Sequence, residues 1–245
     1  MSDSVTECNL GLHSKDSAMS FYDGRFELRR DEIEIVRKYF PSPPARVLDL
    51  GVGNGRTTVP LHQMNYDVIG LEYCQELVEA GLRQRPGVRL IQGDARNLND
   101  DDCSFDVVWF SWNGIDYMCP FSERQAVLRE AYRVLKPGGV FFVSSHNALG
   151  VIGRLLKPVG LTLAGLRFLR DQITFRRPFF SWYCVWKDSA LGAPLFYSAP
   201  PSRQIGEFRR QGFVVEDVSS VVNPDKPAVW WRDVHINYVC RKPGS

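Results

Sequence analysis

Val47-Leu48-Asp49-Leu50-Gly51-Val52-Gly53-Asn54-Gly55 is the stretch on which the fold turns. Its apolar first half reads as a buried strand. Three alternating glycines then make a loop that tolerates positive φ and lets a ligand approach the backbone. Arg56-Thr57-Thr58 opens a helix. The spacing is GxGxG, whereas most dinucleotide sites show GxGxxG. Asp49 sits two residues ahead of the first glycine. A carboxylate there repels a pyrophosphate and attracts a cationic amine.

Outward from this loop the chain alternates short apolar runs with helical periodicity. Arg46 to Leu50, Tyr66 to Leu71, Val88 to Ile91, Phe105 to Phe110 and Val140 to Ser144 read as strands. A helix starts at Asp31, with acids in its first turn, and stops at Pro41-Ser-Pro-Pro44. A second, Ser122 to Leu135, shows a capping-box pair in Ser122 and Gln125 and one apolar face in Val127, Leu128, Ala131, Val134 and Leu135. Continuous apolar strands separated by helices imply a parallel sheet covered on both faces, hence a doubly wound α/β fold. Later come a helix over about 202–211 and strands at Phe213–Val218 and Asp233–Cys240. The turn-rich Asn223-Pro224-Asp225-Lys226-Pro227 between these strands suits an antiparallel hairpin.

Two further acids follow successive strands. Glu72 ends the second strand, where a carboxylate can accept both hydroxyls of a ribose. Asp94, in Gly93-Asp94-Ala95 after the third, can accept an exocyclic amine such as that of adenine. Asp49, Glu72 and Asp94 together describe a ligand with an amine, a ribose and an adenine but no phosphate, which S-adenosylmethionine fits.

On these motifs the chain resembles a class I S-adenosylmethionine-dependent methyltransferase of the small-molecule type. Residues 30–148 carry the likeness; 200–241 share only the topology. Leu135-Lys-Pro-Gly-Gly139 resembles the family's usual entry to its fifth strand. The resemblance implies a seven-stranded, mostly parallel sheet with an antiparallel last strand and a lid insertion between strands 5 and 6. It implies cofactor contacts at Asp49, Gly51, Val52, Gly53, Asn54, Gly55, Glu72, Tyr73, Gly93, Asp94 and Ala95. By the same carry-over Ser111 and Trp112 line the methionine side, and Tyr22 and Arg25 of a leader close over the cofactor. The products are a methylated acceptor and S-adenosylhomocysteine.

Methyl transfer from a sulfonium needs alignment and exclusion of water, and a base only where the acceptor must lose a proton. Two segments overhang the expected methyl position: Ser111-Trp-Asn-Gly-Ile-Asp-Tyr117 and Ser144-Ser-His-Asn147. His146 is the candidate base, since imidazole is neutral near pH 7. Tyr117 and Asp116 are candidates for orienting the acceptor; Asn113, Asn147, Trp182 and Tyr197 for contacting it.

The organisation expected is a leader over 1–30 and a methyltransferase domain over 31–245, with the lid at about 149–200. Within the lid Arg154, Lys157, Arg167, Arg170, Arg176 and Arg177 oppose Asp171 alone up to residue 177, interleaved with leucines. That mixture suits a lid over an anionic or amphipathic acceptor, contact with a membrane surface through 149–177, or a packed helix with a solvated face. The whole chain of 245 residues has 30 Lys+Arg against 28 Asp+Glu, a net charge of +2, which argues against a dedicated nucleic-acid binder. The first thirty residues carry acids and no long apolar run, and six cysteines are scattered without a CxxC pair. Both features point to a reduced, cytoplasmic protein with no metal site.

The function expected is methyl transfer from S-adenosylmethionine to an oxygen or nitrogen of a small molecule. The alternatives are a methyltransferase acting on RNA or protein, a non-catalytic adenosyl-binding subunit, and a nicotinamide dehydrogenase. Ser-Trp-Asn-Gly in place of Asn/Asp-Pro-Pro-aromatic speaks against a nucleic-acid amine acceptor, and GxGxG with Asp49 against the dehydrogenase.

Overall fold

A computed structural model of the chain describes residues 24, 26–150, 183–185 and 195–244. Tyr22 and Arg25 of the expected leader, the basic 149–177 segment beyond residue 150, and Trp182 lie outside the described residues.

The elements run α1 (Arg30–Tyr39), β1 (Arg46–Leu50), α2 (Thr58–Gln63), β2 (Asp67–Glu72), α3 (Gln75–Gln84), β3 (Leu90–Gln92) and β4 (Phe105–Phe110). A 3₁₀ turn (Gly114–Tyr117), α4 (Phe121–Val134) and β5 (Leu135–His146) follow. After them come β6 (Tyr183–Val185), β7 (Leu195–Tyr197), α5 (Pro201–Arg210), β8 (Val214–Ser220) and β9 (His235–Arg241). Seven strands form one sheet in the order β3-β2-β1-β4-β5-β9-β8. The pairs from β3 to β5 are parallel, and β9 runs antiparallel to both β5 and β8. This is the doubly wound sheet with an antiparallel last strand that the sequence leads one to expect.

The apolar strands are buried on both faces because alternate residues feed two cores. Leu48, Leu50, Phe110, Phe141 and Val143 pack with α4 residues Val127, Leu128 and Ala131 and with Phe208 of α5. Val47, Trp109, Val140 and Phe142 pack on the other face with Ile35 and Val36 of α1 and Leu61 of α2. Trp109 and Phe142 stack with centroids 4.0 Å apart. Strand order reverses between β1 and β4, so a crevice opens at the carboxyl ends of these strands, where ligands bind in such sheets.

Two local expectations need correction. The Ser122–Gln125 capping box is absent: α4 starts at Phe121 with Pro120 at its N-cap and no side-chain cap, which puts Ser122 inside the helix. Leu135 to Gly139 is not only a turn; β5 begins at Leu135, paired with Phe105 across a register shift. The stretch 149–200, expected as a lid, contains an antiparallel β6–β7 pair.

Gly81 of α3 sets how closely the helix lies on the glycine loop. A Cβ there would stand 2.4 Å from the Asn54 carbonyl oxygen and 2.6 Å from Leu90 Cδ1. Gly81→Ala is expected to cost about 1–3 kcal/mol through overpacking. Loop displacement is expected to weaken adenosyl-ligand binding at least as much. A thermal melt with and without S-adenosylhomocysteine checks both.

Candidate functional site

The site is built at the carboxyl ends of β1 to β5. Gly51 turns the chain out of β1 at φ +62°, and its N–H donates to the Leu71 carbonyl at 2.8 Å. Phe110 lies so close beneath that a Cβ on Gly51 would stand 2.7 Å from its ring, and one on Gly114 2.3 Å. One aromatic ring thus underlies the glycine loop and the turn after β4 together.

Asp49 is fully buried. Its Oδ2 accepts the hydroxyls of Thr57 at 2.6 Å and Thr58 at 2.8 Å. Its Oδ1 has no partner among the described residues. Burial pushes this carboxyl up to about 7, with Glu32 adding to the rise and the two threonines and Arg56 opposing it. Glu72 reaches across the loop. Its Oε2 accepts the Gly53 N–H at 2.8 Å and its Oε1 the Cys74 N–H at 3.0 Å. Burial raises its carboxyl too, with those N–H groups restraining the rise. Val52, Asn54, Gly55 and Ala95 are buried beside these acids.

Asp94 is where expected but already engaged. Arg96 Nε lies 2.9 Å from each of its oxygens, Arg96 Nη2 2.7 Å from Oδ2, and the Arg96 N–H 2.9 Å from Oδ1. The guanidinium also faces the Tyr73 ring at 5.3 Å and pairs with Glu123 at 2.9 Å. A carboxylate has about four acceptor positions, so an adenine amine must displace part of this clamp. Arg96→Ala is expected to tighten S-adenosylhomocysteine binding about three- to tenfold, one exchanged charge-assisted hydrogen bond. An unchanged Kd in a calorimetric titration would remove Asp94 from adenine recognition.

Arg56 is a residue that motif reading misses. It is 6% exposed. Nη2 pairs with Glu32 Oε1 at 2.6 Å and donates to Ser111 Oγ at 2.9 Å; Nη1 reaches Glu32 Oε2 and the Glu27 carbonyl. Its guanidinium lies 4.7 Å from the Trp112 ring centre. One buried cation therefore ties α1, the glycine loop and the turn after β4. The usable signal was an acid, Glu32, in the first turn of α1. Trp112 and Asn113 both adopt left-handed backbone, at φ 54° and 60°, and Asn113 N–H donates to Ser144 Oγ at 2.8 Å.

At the acceptor end the turn after β4 meets β5. His146 Nδ1 lies 2.8 Å from Asp116 Oδ2. Asp116, expected to orient the acceptor, is fully buried with its carboxylate on His146. Tyr117, next to it, is half-buried. Asn147 is fully buried; its amide donates to the Trp230 and Asp233 carbonyls at 2.5 and 2.8 Å, and its oxygen accepts the Leu149 N–H. Its side chain holds a turn. Tyr197 is likewise buried, its hydroxyl donating to Glu207 Oε1. Among the described residues no cluster of three His, Cys, Asp or Glu is placed to hold a metal, and no helix is long and apolar enough to cross a membrane.

Residues 47–139 match the family model of a methyltransferase domain. Demethylmenaquinone methyltransferase from Renibacterium salmoninarum is 36% identical over 110 residues, 44% of this chain and 45% of that protein. The chain thus spans less than half the length of this relative. A SAM-dependent methyltransferase from Methanosarcina mazei superposes with a TM-score of 0.67 at 17% identity, covering 89% of this chain and 100% of that one. The 1,6-didemethyltoxoflavin-N1-methyltransferase of Burkholderia thailandensis, solved with 1,6-didemethyltoxoflavin and S-adenosylhomocysteine, gives 0.62 at 16% identity, covering 98% and 88%. Residues 47–139 thus resemble a methyltransferase domain, and the chain shares the fold of these solved methyltransferases.

Proposed function

We propose, from the premise of that domain, that this protein transfers the methyl group of S-adenosylmethionine to an oxygen or nitrogen of a small-molecule acceptor. The observation that carries the reading is the unpartnered Asp49 Oδ1, a buried acceptor at the mouth of a glycine loop. A cationic amine satisfies it; a phosphate does not. Glu72 keeps acceptor positions free for ribose hydroxyls beyond the two N–H groups it holds. Gly51, Gly53 and Gly55, all at positive φ, let the ligand lie on the backbone.

When bound, S-adenosylmethionine supplies a methyl carbon already activated by a sulfonium. The chain's task is then to hold the acceptor in line and keep water out. His146, at the carboxyl end of β5, is the group placed to take a proton from the acceptor. Relatives named for demethylmenaquinone and 1,6-didemethyltoxoflavin support a small acceptor. Four described cysteines are free thiols, in keeping with a cytoplasmic setting.

Calorimetric titration of the full chain with S-adenosylmethionine, S-adenosylhomocysteine and NAD tests the reading. The expected result is micromolar binding of both adenosyl ligands and none of NAD. NAD binding without adenosyl binding would overturn it.

A further inference from the structure

The carboxyl end of β5 holds a coupled pair, not a lone imidazole. Asp116 Oδ2 accepts the His146 backbone N–H at 2.7 Å and faces Nδ1 at 2.8 Å. Asp116 Oδ1 accepts Ser145 Oγ at 2.6 Å and Arg124 Nη1 at 2.9 Å. A carboxylate paired with a guanidinium only accepts hydrogen bonds, so the proton between Asp116 and His146 resides on Nδ1. Nε2 is then left with its lone pair. The ring is fixed by Phe196 at 4.4 Å and by the edge of His235 at 4.8 Å. Its side chain keeps 16% exposure.

Behind the pair stands a buried ion cluster. Arg124 is fully buried between Asp116 and Glu207, at 2.9 and 3.2 Å. Two buried carboxylates thus share one buried guanidinium; Arg203, half-exposed, meets Glu207 from outside at 3.3 Å. Gln204 donates to the His146 carbonyl, so α5 also holds the backbone of the base.

We propose that Asp116 is a positioning residue that holds His146 in its Nδ1–H tautomer, and that the pair commits the site to acceptors carrying an O–H or N–H proton. The inference rests on the methyl-transfer reading and deepens it. Nε2 takes the acceptor proton; the electron pair freed on the acceptor forms the bond to the methyl carbon while the carbon–sulfur pair stays on sulfur. His146 then passes its proton to solvent through its exposed edge. An acceptor already anionic at neutral pH, such as a carboxylate, has no proton to give and makes no use of the pair. Tyr197 belongs to the same support: Arg124 lies 4.4 Å from its ring centre and Glu207 accepts its hydroxyl.

The test is ¹⁵N-imidazole NMR of the full chain with S-adenosylhomocysteine bound. The expected spectrum shows His146 protonated on Nδ1 and bare at Nε2 near pH 7. In Asp116→Asn it shows a population shifted toward Nε2–H. Labelled S-adenosylmethionine with phenol, benzylamine and benzoate as probes is expected to mark phenol or benzylamine, about 100-fold more slowly in Asp116→Asn at unchanged S-adenosylhomocysteine affinity. An Nε2–H tautomer in the unaltered chain, preferential labelling of benzoate, or undiminished transfer by His146→Ala would overturn the proposal. The tautomer measurement stands even if Asp116→Asn fails to fold. Failure of S-adenosylhomocysteine to bind the unaltered chain would instead overturn the cofactor reading.

Discussion

An Asp49→Asn chain is expected to bind S-adenosylhomocysteine about 100-fold more weakly, the scale of one buried charge-assisted contact of roughly 3 kcal/mol. The same chain is expected to be more stable than the original at pH 8, because a neutral amide escapes the desolvation that Asp49 endures. The sign follows from where the carboxyl titrates. Unfolded, it ionises near the ordinary aspartate value; folded, burial moves it up to about 7. Between those limits the fold retains a proton that the unfolded chain releases. The contribution of this group to stability therefore falls as pH rises from about 4 to about 7, and stays at its low level above. Ligand binding runs the other way. A cationic amine prefers ionised Asp49, so below pH 7 binding must expel a proton, and affinity is expected to drop up to tenfold per pH unit. Calorimetry at pH 5.5, 6.5 and 7.5 in buffers of different ionisation enthalpy reads the affinity and the proton together. Equal affinity across that range, or full binding by Asp49→Asn, would contradict the assignment of the amine to this carboxylate.

Arg124→Met is expected to be the most damaging substitution to the fold. The guanidinium is fully buried, held by Asp116, Glu207, the Gln204 side-chain oxygen and the Ile115 carbonyl. Burial opposes its charge, and the two carboxylates more than offset that. Methionine fills the space but takes from the buried Asp116 and Glu207 carboxylates the cation they share, a loss of about 3–5 kcal/mol. Domains of this kind hold about 5–15 kcal/mol in all. Urea unfolding of Arg124→Met alone and with Glu207→Gln separates charge from packing. Recovery of much of the stability in the double variant is expected; a single variant within about 1 kcal/mol of the original would show that the buried charge is not what matters.

The alternation of strands and helices, the glycine loop and the acids at strand ends were legible because each depends on local pattern: apolar runs, φ-tolerant residues, and acids that close a strand. The acceptor end was legible only in part. Asp116 reads as a group that orients the acceptor, and Arg124 and Glu207 as ordinary polar helix positions. They become a buried cluster only when α4, α5 and the turn after β4 converge, over separations of 80 residues or more. Asn147 illustrates the converse: beside His146 it looks functional, yet the loop before β9 claims its amide. Asp94 follows β3 as its motif leads one to expect, while the clamp from Arg96, two residues on, depends on a side-chain rotamer that spacing does not reveal.

The place of β9 has a consequence in time. It is the latest of the seven strands in the chain, yet it lies between β5 and β8 and pairs His235 with His146. A nascent chain that has delivered β5, α5 and β8 still lacks the strand between them, and β5 offers an open edge. The half of the sheet carrying Asp49 and Glu72 can assemble early from near-neighbour pairings. The half that fixes His146 must wait for distant ones. Adenosyl-ligand affinity is thus expected to emerge before a fixed imidazole does, so that on the ribosome the chain becomes a binder before it becomes a catalyst.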